Sequence, residues 1–256
     1  MQVALLEIKY TASAAGIFSL SHAIYISVTF VSVLLLLYIS RRISRAGFER
    51  LGIILATALT AAEAIKITTS IADREPIDNW IPLYFCGLFL PALWLLQAKS
   101  EKLRRAAYAY VTMGGIPAGL LFTLYPSTSL ARYPATSPLS IHAAIFHGAM
   151  IYFGLIILRR GFFLPRQEDG RLYFWFVTAA AIPSAIINYL FGTNCMFLSD
   201  PFGLPLVTEL CRDFPTLYAI GAWLMQAFLL FKISLTIYKA TERRKTHAQP
   251  NNQKHL

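Results

Sequence analysis

Charge is what this sequence has least of: charged residues fill 14% of its 256 positions, and only 13 of them are acidic. Soluble domains carry nearer a quarter, so an ordinary water-exposed globule is excluded. Cysteine is scarce too, at three residues. That excludes a disulfide-dense scaffold, and with no ligand-spaced His/Cys cluster neither a metal nor another cofactor is expected. No internal repeat is strong enough to argue an inverted-repeat transporter, although Gly114, Gly115 and Pro117 interrupt one apolar stretch.

Apolar residues take the place of charge, at 56% of the chain with a mean hydropathy of +0.54. A bilayer core needs about 20 apolar residues per helix. Seven stretches meet that need: residues 17–39, 51–71, 80–96, 106–125, 139–158, 172–191 and 214–238. Each can satisfy its backbone inside a helix, which irregular structure in lipid cannot do. The third is the shortest. Glu7 and Lys9 precede the first run, which is long enough to stay as a span, so residues 1–20 read as an interfacial start and not as a cleaved signal.

The formal net charge is +10, and its placement decides its meaning. Arg41, Arg42, Arg45 and Arg50 fill the first connection; Lys99, Lys102, Arg104 and Arg105 the third; Arg159, Arg160, Arg166 and Arg171 the fifth; Lys239, Arg243, Arg244, Lys245 and Lys254 the tail. The alternate connections hold only Lys9, Arg74, Arg132 and Arg212. This positive-inside alternation predicts an all-α membrane protein, a bundle of seven transmembrane helices with its N terminus outside and its C terminus cytoplasmic. Residues 1–240 form one domain, and residues 241–256 read as a disordered basic tail. The basic surface faces anionic lipid headgroups; nucleic acid is not expected as a partner, and membrane lipids are.

Ionisable residues inside spans are costly, so their positions carry information. At about 1.5 Å rise per residue, Cys86 lies roughly 9 Å from the outer end of its span, and His147 and Glu63 roughly 12 Å from theirs. His142, Lys66 and Asn188 are shallower, at roughly 5 to 8 Å. These residues come from helices of opposite direction yet share the outer half, which predicts one polar cavity there. Glu63 and Lys66, three apart, share a helix face and can pair; an ion pair that only packs is the competing reading. His142 and His147 are about 140° apart around a helix, so only one is expected at the centre. His147 is the deeper, with Gly148 beside it to permit close approach. Cys86 alone reads as an inert buried thiol, but a nearby histidine would make it a nucleophile. Cys195 and Cys211 share the sixth connection, where a disulfide is chemically allowed. That connection is rich in turn residues and long enough to act as a lid.

The motifs occur in a recognisable order. IPLYFC at residues 81–86, GGIPAGLLFTLYP at 114–126, HG at 147–148, GTNCMFLSDP at 192–201 and FPTLY at 214–218, with acidic Glu63 in the second span, resemble the YwaF-like integral membrane family. That family is similar to a transmembrane acyltransferase that moves polyunsaturated acyl chains onto ether lysophospholipids with a cysteine and a histidine. The resemblance implies Cys86 as the acyl-accepting nucleophile and His147 as general base, in a multi-pass protein of a bacterial plasma membrane. The family's LPLHLC histidine is Tyr84 here, and its GTNYM tyrosine is Cys195. On this reading Glu63, Lys66, Tyr84 and His142 bind substrate, and Asn188 or Asn194 donates to the oxyanion. The rivals are a non-catalytic seven-span binding or transport protein for a small amphipathic ligand, and a lipid hydrolase.

Overall fold

A computed structural model describes residues 14–201 and 205–247. The interfacial start expected for residues 1–20 and the end of the expected tail therefore lie largely outside the described residues. Among those described, six helices are long and apolar enough to cross a membrane. They belong to an all-α chain: α1 (Leu20–Ile39), α2 (Arg45–Ala72), α3 (Ile77–Trp80), α4 (Cys86–Leu95), α5 (Glu101–Leu124), α6 (Pro138–Arg159), α7 (Asp169–Phe191), α8 (Pro205–Asp213) and α9, continuous through Pro215–Leu224, Met225–Leu229 and Leu230–His247.

Local sequence sets the ends of these helices. Ser19, Ser44 and Ser137 each accept a hydrogen bond from the backbone N–H three residues on, at 3.1 Å, capping α1, α2 and α6. Gly192 ends α7 in the left-handed conformation, φ 64°, which carries no Cβ penalty there. The last helix runs on to His247, into the start of the expected tail; Ala240, Glu242, Arg243 and Arg244 are helix-compatible residues and extend α9 past the apolar stretch.

α5 and α6 pack backbone to backbone. A Cβ on Gly119 would come within 2.9 Å of the His147 carbonyl, and one on Gly154 within 2.8 Å of the Val111 carbonyl. Small residues at both contacts let the backbones meet, as membrane helices require in the absence of a hydrophobic drive between them. Gly148 faces Thr29 of α1, so it admits a neighbouring helix and not a ligand.

The third expected span departs from a continuous helix. Residues 77–97 form the four-residue α3, an extended stretch and the ten-residue α4. Pro82 lacks an N–H, and Gly87 turns so tightly that a Cβ would sit 2.8 Å from the Pro82 carbonyl oxygen. The segment returns alongside α2: Trp94 Nε1 donates to Thr60 Oγ1 at 3.0 Å, and Gln97 lies against Gly52. Its non-helical carbonyls are satisfied by protein. Leu83 O accepts from the Met196 N–H at 3.0 Å and Phe85 O from the Tyr110 hydroxyl at 2.5 Å, as broken backbone packed among apolar helices requires.

The basic connections gather at one end of the bundle. Arg45 donates to the Phe162 carbonyl at 3.1 Å and to the Tyr108 hydroxyl at 2.8 Å. Arg105 forks onto Asp169 at 2.8 and 2.9 Å, and the same carboxylate accepts from the Arg166 N–H. At the opposite end the connection after α5 covers the bundle and takes backbone hydrogen bonds from Ala15 and Gly16.

Candidate functional site

Beneath that covered end lies a cavity of about 150 Å³, lined by α2, the 82–87 segment, α5, the following connection, α6 and the loop after α7. Cys86, His147, His142, Glu63, Lys66 and Tyr84 all line it. The structure thus brings together six of the eight residues expected to take part in catalysis or substrate binding.

His147 is held on two sides. Its ring lies flat on Phe122, with centroids 3.6 Å apart and planes 5° from parallel. Nδ1 sits 2.8 Å from the Ala143 carbonyl. A carbonyl can only accept, so that nitrogen carries the proton and Nε2 keeps its lone pair. Nε2 is buried and has no hydrogen-bond partner among the described residues. A fixed, neutral imidazole with an unused basic nitrogen on a cavity is the arrangement a general base needs.

Both histidines reach the cavity, contrary to the expectation that one helix face could not aim them at one place. Leu139, His142, Ala143, Phe146 and His147 all contribute lining. They form one α6 stripe at i, i+3, i+4 spacing, and the two histidines are its margins. His142 belongs to the charged side: its Nε2 lies 3.3 Å from Glu63 Oε2, and Lys66 Nζ lies 2.5 Å from Glu63 Oε1. The His142 contact satisfies charge proximity but not hydrogen-bond alignment, so its Nε2 is still without a hydrogen-bond partner. The expected Glu63–Lys66 pair is present.

Cys86 begins α4 and lines the cavity beside Gly87. The neighbouring backbone is clamped from several sides. Beyond the Tyr110 and Met196 contacts, Ser184 Oγ reaches Leu83 O at 3.5 Å, and the Tyr84 ring packs 5.4 Å from Phe197. The clamp extends outward as Gln226 Nε2 donates to Met196 O at 2.8 Å, Tyr218 to Phe197 O at 2.7 Å, and Tyr173 to Gln226 O at 2.9 Å. Met196 and Phe197 both have positive φ, 52° and 54°, an uncommon pair for residues with a Cβ and a sign that the loop is held by its contacts.

Asn188 and Asn194 are not at the cavity. Asn188 Oδ1 accepts from the Cys195 N–H and the Thr193 hydroxyl, each at 2.7 Å, while Nδ2 donates to Cys195 O at 3.0 Å. Asn194 Oδ1 accepts from the N–H groups of Ser199 and Asp200 at 3.0 Å, and Nδ2 donates to Asp200 O at 2.8 Å. These hydrogen bonds shape the loop, and the structure does not bring either asparagine into the lining of the cavity. Cys195 and Cys211 are separate thiols with no disulfide between them. Cys195 is buried by Thr193, and Cys211 donates to Ser199 O at 3.2 Å. Among the described residues no His/Cys/Asp/Glu group is placed to hold a metal ion.

Sequence reasoning missed Phe122 and Ser129. Both line the cavity, and Ser129 is buried there. Neither stands out in an apolar span or a serine-rich turn. Tyr110 and Gln226 were findable, as polar groups inside spans, and each sits in a π-helical turn, Tyr110–Gly115 and Met225–Leu229, a feature frequent at functional sites.

Comparison with curated proteins and with solved structures finds no match. The TMEM164 family model matches residues 17–242, a range that takes in every element lining the cavity, and the chain therefore belongs to the TMEM164 family of multi-pass integral membrane proteins.

Proposed function

We propose that this protein is a lipid acyltransferase working through a thioester on Cys86, in a seven-crossing bundle with its N terminus outside and the cavity in the outer half of the membrane. The observation that carries the reading is the shared cavity: Cys86 and His147, whose Nε2 is unpartnered, line the same space. The antiparallel return of residues 77–97 along α2 supports the seventh crossing. The clustering of the basic connections at the far end supports the orientation.

His147 Nε2 takes the thiol proton, directly or through a water in the cavity, and the sulfur attacks the carbonyl carbon of a lipid acyl ester. The carbonyl π electrons move to oxygen; their return expels the ester's alkoxide, which takes the proton from His147. The acyl group is then a thioester. An acceptor hydroxyl repeats the sequence, giving its proton to His147 and regenerating the thiol. Glu63 and Lys66 supply charge, and His142 beside them a polar ring, for the polar part of the substrate.

The test is an alkyne-tagged acyl phospholipid presented to the purified protein in vesicles, followed by peptide mapping of hydroxylamine-sensitive label. Label on Cys86 that is lost in Cys86→Ser and strongly reduced in His147→Ala is expected. No label on Cys86, or lipid turnover unchanged in Cys86→Ala, overturns the covalent route. Release of free fatty acid with no acylated acceptor would assign the same pair to a hydrolase.

A further inference from the structure

The oxyanion of such a reaction needs a donor, and neither asparagine lines the cavity. We infer that Tyr110 is a positioning residue that holds the Phe85–Cys86 peptide so that the Cys86 N–H, beside the thiol, receives the oxyanion. The inference rests on the thioester reading above.

Three features carry it. First, the Tyr110 hydroxyl donates to the Phe85 carbonyl at 2.5 Å, and the Phe85 and Tyr110 rings meet edge to face, 5.4 Å apart. The peptide is trans, as are all the described ones. Its N–H therefore points opposite to its carbonyl, away from Tyr110. Tyr110 is fully buried and does not line the cavity, whereas Cys86 and Gly87 do. The peptide thus turns its carbonyl towards the buried Tyr110 and its N–H the other way, on the residue that lines the cavity.

Second, Cys86 is the first residue of a ten-residue helix. Its N–H falls in the first turn, where no intrahelical carbonyl can accept it, and the helix dipole favours negative charge there. Third, His147, only 7% exposed and with Nε2 unpartnered, lines the same cavity. A buried base and an amide that no intrahelical carbonyl accepts then lie in the thiol's surroundings together, as acyl transfer requires: one group for the proton, one for the carbonyl oxygen. The π turn that begins at Tyr110 shifts the helical register where this hydroxyl must reach a neighbouring element's backbone.

The experiment compares acylation with alkylation at one sulfur. Acylation passes through a tetrahedral oxyanion; displacement of iodide from iodoacetamide does not, yet both need the same thiolate. In Tyr110→Phe, thioester formation on Cys86 from the acyl probe slows by about tenfold or more, while alkylation of Cys86 stays within about twofold. Tyr152→Phe, an equally conservative change at a buried tyrosine of α6, leaves both rates as in the unchanged protein. Equal slowing of both reactions in Tyr110→Phe, or slowing of neither, overturns the positioning role. Absence of acylation in the unchanged protein overturns the thioester reading itself and the inference with it.

Discussion

The imidazole of His147 lies on the ring of Phe122 at a centroid distance of 3.6 Å, and no other ring pair in the described structure is so close. With Nδ1 tied to Ala143 O, the stack fixes the direction of Nε2 without using it. Phe122→Ala removes one of the two restraints, worth about 1 kcal/mol for an aromatic pair. On that scale kcat for acyl transfer falls on the order of fivefold to tenfold with KM little changed, and Phe122→Leu falls between. Kinetics for Phe122→Ala that match the unchanged protein would show that the carbonyl contact alone holds the ring.

Glu63 sits between Lys66 and His142 in a largely buried site, its side chain 10% exposed and theirs 18%. Removing only the acid leaves the ammonium without its partner in low dielectric, a change that costs about 3 kcal/mol in buried pairs. Glu63→Gln therefore lowers the melting temperature in detergent. Glu63→Leu combined with Lys66→Leu recovers most of the loss, because neither charge is then stranded. Substrate binding stays weak in the double variant, and the two readouts separate stability from function.

The order of the six long helices was legible because lipid demands long apolar runs. The cavity was legible in part for the same reason: Glu63, Lys66, Cys86, His142 and His147 are conspicuous where polar groups are costly. What depth could not convey was partnership. Asn188 lies at a depth similar to Lys66, yet its amide is consumed by residues five and seven positions on, a local pattern that span geometry does not reveal. The break in the third span was foreshadowed by Pro82 and Gly87, but it persists only because Met196 and Tyr110, remote in sequence, satisfy the carbonyls. Phe122 left no signal, since an aromatic in an apolar helix reads as ordinary core.

Asn188 closes the loop that carries Met196 to Leu83. Asn188→Ala removes three hydrogen bonds from Thr193 and Cys195, and each buried polar group left unmet costs about 1–3 kcal/mol. Limited proteolysis between residues 192 and 201 is expected to accelerate, with Cys86 acylation falling in parallel as the clamp on Leu83 loosens. Asn194→Ala, at the more exposed end of the same loop, has the smaller effect on both. The reverse ranking would move the structural centre of the loop from Asn188 to Asn194.

Cys211 offers a test of orientation and of thiol state together. It lies in α8, outside the spans, with its thiol donating to Ser199 O at 3.2 Å. Desolvation, and after it the charge of Asp200, raise its pKa above the ordinary thiol value, so the thiolate fraction at neutral pH is small. A membrane-impermeant maleimide added to intact cells is expected to modify Cys211 slowly near pH 7 and faster as the pH rises, while Cys195, fully buried, reacts only after unfolding. Peptide mapping distinguishes both from Cys86. Labelling of Cys211 only after the inner face is opened would reverse the proposed orientation and put the cavity on the cytoplasmic side. A non-reduced peptide joining Cys195 to Cys211 would show that the loop rearranges far enough to bring together two sulfurs that the Asn188 and Ser199 contacts hold in separate environments.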